Sequence, residues 1–371
     1  MAGRVPLARR ILFADRRRAT LAAFGIATAL VLVLALDGIF AGAMSQVTAY
    51  LRASPADVIV SQQGVRTMHM SSSSLPADTV TAARAVPGVA WADGIGFTST
   101  FVASGAARQL TYVIGYDTTS GRGGPEHLVA GRAPQSGQAV LDRVAAARLG
   151  VGVGGRITAL GASWTVSGES SGGTSIANTT TFVPAGDFAR LRGPAVSYVL
   201  VGAQPGVAVS ALAARVSAAL PRVTVQTRTG FVAQEAGLVR DMSADILRIM
   251  TIVGLLIALA VVGLSLFALT LAKLRDYAVL KALGSTNSRL AATVAAQAAW
   301  SIGTALCLAV GLTWVLGVGV ARISPTIRIV IEPASVARVA VGALAAGAVG
   351  AVIPLRRVRR VDPASVFRTA S

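Results

Sequence analysis

Four long apolar runs constrain the fold of this 371-residue chain more than any other feature. A bilayer core of about 30 Å requires about 20 helical residues to cross it. The apolar runs occupy residues 19–44, 246–272, 290–320 and 336–355, and the region between the first two, residues 45–245, has no run of this kind. The sequence therefore predicts one transmembrane helix, a large domain outside the bilayer, and three further transmembrane helices.

The placement of charge indicates which helix ends face the cytoplasm. The chain carries a formal net charge of +18, and two thirds of that excess lies in residues 1–18, 273–289 and 356–371. A one-plus-three arrangement of helices puts these segments on the same side of the membrane, and basic loops remain on the cytoplasmic side. Both termini are therefore expected in the cytoplasm. Anionic lipid headgroups account for the charge, so membrane lipid is the expected partner and nucleic acid is not.

The segment between the second and third runs, residues 271–285, reads LAKLRDYAVLKALGS. Its apolar residues Leu274, Ala278, Leu280 and Leu283 recur every three or four positions, which predicts a short helix with one apolar face. Such a helix lies at the membrane surface and offers that face to a partner. From composition alone, an ordinary basic loop whose apolar residues touch lipid is the simpler interpretation.

Two motifs favour the interpretation as a helix that contacts a partner, because they resemble motifs of the FtsX/MacB-type permeases of ABC transporters. In that family the second and third membrane helices are joined by R-x-x-E-[IF]-x-[VI]-L-[RK]-A-L-G-[AS]. Arg275 and residues 278–285 follow this pattern, and Asp276 and Tyr277 stand near its Glu-Ile pair. The tail resembles the family's ending, an Arg-rich stretch followed by D-P-x-x-x-[LF]-R. It is formed here by Asp362, Pro363, Phe367 and Arg368.

The resemblance implies an ABC transporter permease that works as a homodimer with a separate ABC ATPase in the bacterial cytoplasmic membrane. ATP and magnesium would bind to that ATPase, and this chain would hold no cofactor, metal or catalytic residue. The ATPase would move the basic segment and, by mechanotransmission, the external domain, so that an envelope substrate is exported or extracted. The residues implied as the ATPase contact are Asp276, Tyr277, Leu280, Ala282, Leu283 and Gly284.

The expected fold class is an α+β membrane protein with a large mixed α/β extracytoplasmic domain inserted between helices 1 and 2. The expected segments are a basic tail (1–18), helix 1 (19–44), the external domain with its stalk helices (45–245), helix 2 (246–272), the coupling segment (273–289), helix 3 (290–320), an outer loop (321–335), helix 4 (336–355) and a second basic tail (356–371).

The external domain resembles the family in having two lobes, a porter-like lobe at about 53–130 and 200–232 and a β-rich lobe at about 131–199. Residue type and glycine punctuation predict its elements. The predicted strands are 57–61, 89–91, 96–103, 109–116, 138–142, 156–160, 163–168, 180–184 and 197–201, and the predicted helices are 78–85, 145–149 and 207–220. The strands 89–91 and 96–103 are expected to be separated by a glycine turn.

Three further expectations concern the helices. The spacing of Leu238, Met242, Ile246 and Ile249 predicts one unbroken helix that runs from the external domain into the second apolar run. The first run could instead be a cleaved signal peptide, with Ala-Gly-Ala at 41–43 as the cleavage site. Its length favours a retained helix. Glycines in the later runs are expected to permit close helix packing without an internal substrate channel.

Enzymatic chemistry finds little support in the sequence. A phosphate-binding loop ending in Gly-Lys does not occur, and the two histidines, His69 and His127, are isolated and expected in exposed loops. The single cysteine, Cys307, excludes an intrachain disulfide and is expected to pack inside the third run.

Three alternatives remain open. The chain could regulate a cell-wall hydrolase, as FtsX-like proteins do, with a periplasmic or extracellular adaptor or hydrolase as partner. It could be a membrane-anchored sensor or scaffold without an ATPase. A membrane enzyme is the third alternative, and no catalytic motif supports it.

Overall fold

The computed structural model of the protein describes residues 16–175, 178–272, 279, 281, 285–324 and 326–360. The chain divides into two compact units. Residues 43–243 form the first, which we call the mixed domain, and the described parts of residues 1–42 and 244–371 form the second, which we call the helical unit.

The helices are α1 (Arg16–Val47), α2 (Ala49–Ala53), α3 (Asp78–Arg84), α4 (Arg143–Leu149), α5 (Ala185–Arg192), α6 (Val209–Ala219), α7 (Arg228–Ala272), α8 (Asn287–Ile323) and α9 (Pro333–Arg360). The strands are β1 (Val58–Gln62), β2 (Val89–Ser104), β3 (Ala107–Tyr116), β4 (His127–Gly131), β5 (Gln138–Asp142), β6 (Arg156–Ala159), β7 (Ala162–Ser171), β8 (Thr179–Pro184), β9 (Tyr198–Ala203) and β10 (Val223–Thr227).

The strands of the mixed domain form a single path in the order β10-β1-β9-β2-β3-β8-β5-β7-β4, with β6 pairing with β2 and β7. The 16-residue strand β2 is the junction, because residues 89–95 pair with β9 and residues 96–104 pair with β3. The predicted turn between residues 91 and 96 is therefore wrong. Gly94 and Gly96 lie within the strand, where Val196 and Phe188 occupy the space that their side chains would need.

Replacing Gly96 by alanine is expected to lower the free energy of unfolding by about 1–3 kcal/mol, because it overpacks the core. A Cβ atom at this position would lie 2.3 Å from two ring carbons of Phe188. Thermal unfolding of the purified chain measures the loss. The same change in a Phe188→Ala background is expected to cost much less, and Gly186→Ala, whose Cβ meets no described atom within 4 Å, serves as the control. Equal costs in both backgrounds would contradict the clash.

Local sequence explains how the shorter helices begin and end. The Asp142 carboxylate accepts a hydrogen bond from the Val144 backbone N–H at 2.8 Å and so caps the first turn of α4. Gly150 ends that helix in the left-handed conformation, with φ of 63°. On α5, the buried Asp187 accepts hydrogen bonds from Ser136 and from the Gly137 backbone N–H, which fixes the turn before β5.

Buried tyrosines in the mixed domain make its stability depend on alkaline pH. Burial raises the pKa of Tyr116 from 10.0 to about 12, and burial also raises the pKa of Tyr50 and Tyr198. Between pH 10 and 12 the unfolded chain is ionised at Tyr116 while the folded chain is not. The free energy of unfolding is therefore expected to fall by about 1.4 kcal/mol per pH unit for each such tyrosine.

Chemical denaturation at increasing pH above 10 measures this slope. The Tyr116→Phe variant is expected to lose less stability per pH unit than the native chain, because one ionising group is gone. An unchanged slope would show that Tyr116 ionises equally in both states.

The four long helices of the helical unit share one apolar core. Its members are Ile26, Leu30 and Leu34 of α1, Val262 of α7, Ala298, Ile302 and Ala305 of α8, and Val339 and Ala343 of α9. Large apolar side chains also cover the outside, among them Phe24, Ile252, Leu264, Trp314 and Val341. Helices that are apolar on all sides are typical of a membrane bundle. Among the described residues, Ala23–Val47 and Ser288–Ile323 are long and apolar enough to cross a bilayer.

Close packing at glycine is confirmed at some positions and wrong at others. A Cβ at Gly347 would lie 2.4 Å from the Ile302 side chain, so the glycine lets α8 and α9 approach each other. At Gly303, Gly311 and Gly319 a Cβ would meet no described atom within 4 Å. Cys307 is exposed rather than packed, because it lies on the outward face of α8.

Candidate functional site

The predicted ATPase contact lies outside the described residues. This holds for Asp276, Tyr277, Leu280, Ala282, Leu283 and Gly284. Of the coupling segment, Val279, Lys281 and residues 285–289 are described, and Val279 is 44% exposed. Helix α8 begins at Asn287, directly after Thr286 in an extended conformation. The motif residues Asp362, Pro363, Phe367 and Arg368 also lie outside the described residues.

The described functional candidate is the N-terminal part of α7, residues 228–243, which we call the stalk. Helix α7 is 45 residues long and unbroken, as the sequence predicts. Residues 228–243 belong to the mixed domain, and residues 244–272 belong to the helical unit. The stalk is therefore the part of this helix whose attachment to the mixed domain can be described.

A buried carboxylate attaches the stalk to the loop after β1. Glu235 is fully buried. One of its oxygens accepts a hydrogen bond from the Met68 backbone N–H at 2.6 Å, and the other lies 2.8 Å from the His69 Nδ1 atom. The His69 backbone N–H donates a longer bond of 3.4 Å to the same carboxylate. A buried carboxylate needs such partners to offset the loss of water, so these contacts fix the loop to the helix.

His69 is not the exposed loop residue that the sequence suggests, because its side chain is only 13% exposed. Its ring lies edge-on to Tyr112, with centroids 4.7 Å apart, and also contacts Phe97. His127 is exposed, as expected, with 68% of its side chain accessible. The aromatic contacts and the Glu235 carboxylate together hold the His69 ring against the mixed domain.

Aromatic side chains complete the attachment of the stalk. Phe231, one turn before Glu235, is fully buried and packs edge-on against Tyr198 with ring centroids 6.0 Å apart. The Tyr198 hydroxyl donates a hydrogen bond of 3.2 Å to the Thr67 carbonyl. Burial raises the pKa of Tyr198, and the nearby Glu235 carboxylate raises it further. The phenol therefore remains a neutral donor across the physiological pH range.

The first residue of the stalk is tied to α2. The Arg228 guanidinium donates hydrogen bonds to the Arg52 carbonyl at 3.1 Å and to the Ser54 carbonyl at 2.9 Å. Its backbone N–H donates to the Asp57 carbonyl at 2.8 Å. Carbonyls at a helix end have no partner within the helix, so Arg228 supplies donors where α2 lacks them.

Sequence reasoning missed Glu235 and Arg228 because neither lies in a motif. A signal for Glu235 was present. Glu235 lies in a series of apolar residues that are spaced three or four positions apart, namely Phe231, Leu238 and Met242. This spacing places an acid on the apolar face of a helix. A buried acid requires hydrogen-bond partners. The spacing therefore indicated that Glu235 makes a buried contact, but it did not indicate which residues are its partners.

In the helical unit, an ion pair joins the first and last long helices. Asp37 of α1 accepts a hydrogen bond of 2.8 Å from the Arg338 guanidinium of α9, which also donates to Ser335. Near this pair, the Val330 backbone N–H donates to the Gly38 carbonyl at 2.9 Å. Asp37 is therefore one half of a contact between α1 and α9.

Comparison with solved structures finds similar external domains. The periplasmic region of MacB from Actinobacillus actinomycetemcomitans is 11% identical with a TM-score of 0.38, and the match covers 48% of this chain and 92% of that chain. The extracellular domain of the noncanonic ABC-type transporter YknZ from Gram-positive bacteria is 13% identical with a TM-score of 0.37, and the match covers 46% of this chain and 99% of that chain. No curated protein sequence matches the chain.

Two family models match the sequence and together account for both units. The model of a MacB-like periplasmic core domain matches residues 19–219, which is more than half of the chain. The model of an FtsX-like permease C-terminal region matches residues 248–363. The chain thus belongs to the FtsX/MacB-type permeases of ABC transporters.

Proposed function

We propose that this permease transmits the ATP-driven motion of a separate ABC ATPase to its mixed domain by mechanotransmission. In this proposal the chain works as a homodimer in the bacterial cytoplasmic membrane, and the ATPase holds ATP and magnesium. The outcome is export or extraction of an envelope substrate. The membrane-spanning unit changes no covalent bond itself.

The observation that carries the proposal is the unbroken helix α7. At about 1.5 Å per residue, its 45 residues extend over about 68 Å. The buried contacts of Glu235 and Phe231 fix its first turns to the mixed domain. A continuous helix has no hinge where an applied displacement could be absorbed, so a movement of its membrane part is passed along its axis.

The proposed topology has four membrane-spanning helices, with residues 1–18, 273–289 and 356–371 in the cytoplasm and residues 45–245 outside. The concentration of basic residues in those three segments supports it. The shared core of α1, α7, α8 and α9 supports it as well, because four helices that pack together with an apolar outer surface suit a lipid environment.

Affinity purification in mild detergent tests the central claim. The tagged native chain is expected to bring down an ABC ATPase, and a Leu283→Asp, Gly284→Arg variant is expected to lose it, because a charged side chain in the coupling helix disrupts an apolar contact. Leu128→Asp, Val129→Arg serves as the matched control, since it adds the same pair of charges to two neighbouring exposed positions of the mixed domain.

The proposal is overturned if the native chain retains no ATPase under conditions that preserve its oligomer. In that case the membrane-anchored scaffold is the better explanation. Retention of the ATPase together with a cell-wall hydrolase would identify the chain as a regulator of that hydrolase instead of an exporter.

A further inference from the structure

A cleft beside the stalk brings together three arginines from two helices. It has a volume of about 480 Å³ and lies entirely within the mixed domain. Arg228 and Arg240 of the stalk line it together with Arg52 of α2. Its volume falls in the range of roughly 300–1,000 Å³ that is typical of sites for small molecules.

These three guanidinium groups have no carboxylate to balance them within the described part of the chain. Other arginines of the mixed domain do, since Arg84 and Arg122 pair with Asp93. Arg228 uses one nitrogen for the carbonyls that it binds, and the remaining N–H groups of its guanidinium have no described partner. The cleft therefore concentrates positive charge and free donors that a negatively charged ligand would satisfy.

The geometry of α7 places an apolar floor between these charges. Four residues of the stalk are spaced four positions apart and so follow one stripe of the helix, namely Arg228, Val232, Ala236 and Arg240. The two arginines are twelve residues apart, which corresponds to about 18 Å along the axis. Val232, Ala233 and Ala236 line the cleft between them. A ligand that fills the cleft would contact guanidinium groups at both ends and apolar side chains in the middle.

This combination selects for an anionic amphiphile. Guanidinium groups bind phosphate with paired, charge-assisted hydrogen bonds, and the Thr229 hydroxyl in the same cleft can add a further donor. The apolar floor would gain from contact with a hydrocarbon chain. We propose that the Arg52–Arg228–Arg240 cleft binds the phosphate group of an amphiphile with a net negative headgroup and holds part of its chain against the stalk.

A membrane phospholipid and a soluble phosphate compound share this headgroup chemistry. Arg240 lies six residues, or about 9 Å, before the apolar run that begins at residue 246. Under the proposed topology the cleft thus opens close to the outer leaflet, which favours a lipid as the source. The inference rests on that topology and extends the proposed function by naming a class of molecule that the stalk contacts.

Photolabelling of the full chain tests the site. The purified protein is placed in phosphatidylcholine nanodiscs that contain a small fraction of phosphatidylglycerol carrying a photoreactive acyl chain, and the adducts are mapped by mass spectrometry. Adducts are expected on residues 229–240. The Arg52→Gln, Arg240→Gln variant is expected to lower labelling there about tenfold or more, because two charged donors are lost. This variant leaves Arg228 and its bonds to the α2 carbonyls in place, so the stalk remains attached.

Controls separate this site from general attraction to anionic lipid. An Arg108→Gln, Arg156→Gln variant removes the same charge from exposed positions elsewhere in the mixed domain and is expected to label like the native chain. Competition by excess inorganic phosphate would identify the phosphate group alone as sufficient, and absence of competition would assign the affinity to the amphiphile. Equal labelling by a photoreactive phosphatidylcholine, or unchanged labelling of the Arg52, Arg240 variant, would overturn the proposal. Because no ATPase takes part, either result leaves the proposed function intact.

Discussion

The Gly237→Pro variant is expected to abolish ATP-driven movement of the mixed domain while leaving both units folded. Gly237 lies within α7, between the buried contacts of Glu235 and the apolar run that begins at residue 246. Proline at this position removes the N–H that bonds to the carbonyl four residues earlier and clashes with that carbonyl, at a cost of about 3 kcal/mol or more. The helix is then kinked or broken, and in the proposed mechanism motion of residues 246–272 is no longer passed to the anchored first turns of the stalk.

The movement can be measured with spin labels on the hairpin between β2 and β3. Ala106 is exposed there, and a Cys307→Ser background removes the native thiol. We expect the distance between the labels of the two copies to change when ATP is added to the complex with the native stalk, and to remain constant with Gly237→Pro. Co-purification of the ATPase is expected to be unaffected, because the coupling segment is distant in sequence.

Gly237→Ala is the matched control. A Cβ at this position would meet no described atom within 4 Å, and alanine favours a helix over glycine by roughly 0.5–1 kcal/mol. This variant is expected to be slightly more stable than the native chain and fully active in the distance measurement. If Gly237→Pro also preserved the ATP-driven distance change, α7 could not be the transmitting element.

The Glu235→Ala variant is expected to lower the free energy of unfolding of the mixed domain by about 2–4 kcal/mol. In this variant the buried Met68 N–H has no acceptor. An unpaired buried donor costs free energy because it has lost its hydrogen bonds to water. The charge-assisted contact with His69 is lost as well. Thermal unfolding measures the combined loss of stability from these two contacts. Because the loop after β1 is no longer fixed to the stalk, trypsin should also cleave more quickly at the exposed Arg66.

Glu126→Ala controls for the loss of one negative charge. The Glu126 side chain is half exposed, and its contact with His127 is 3.6 Å long, so its loss is expected to change stability by less than about 0.5 kcal/mol. Equal effects of the two substitutions on unfolding and on cleavage at Arg66 would mean that Glu235 does not anchor the stalk.

The sequence predicted the elements whose hydrophobic pattern is strong. It predicted α7 as one helix, because its apolar stripe continues from Leu238 to Ile249 without glycine or proline. It predicted strands such as β5 and β8, in which nearly every residue is buried. It missed β4, since all five of its residues are exposed and give no alternating pattern. The sequence predicted two strands in place of β2 because Gly94 and Gly96 were interpreted as turn residues. Glycine is required at both positions because side chains from distant parts of the chain pack against them.

The candidate site was less predictable than the fold, because its contacts join residues far apart in the chain. Met68 and Glu235 are separated by 167 positions, and Arg52 and Arg228 by 176. Motifs describe short stretches and contain no information about such pairs. The coupling motif could be proposed from the sequence because its residues are contiguous, whereas the attachment of the stalk depends on tertiary structure.

The contact between Asp37 and Arg338 has a consequence for how the protein is made. The two residues are 301 positions apart, so α1 leaves the ribosome long before the arginine that neutralises its acid has been synthesised. During that interval Asp37 lies on an apolar helix without the guanidinium group that it contacts in the finished protein. Completion of α9 thus supplies the partner of Asp37, and a chain that stops before α9 leaves the Asp37 side chain without this contact.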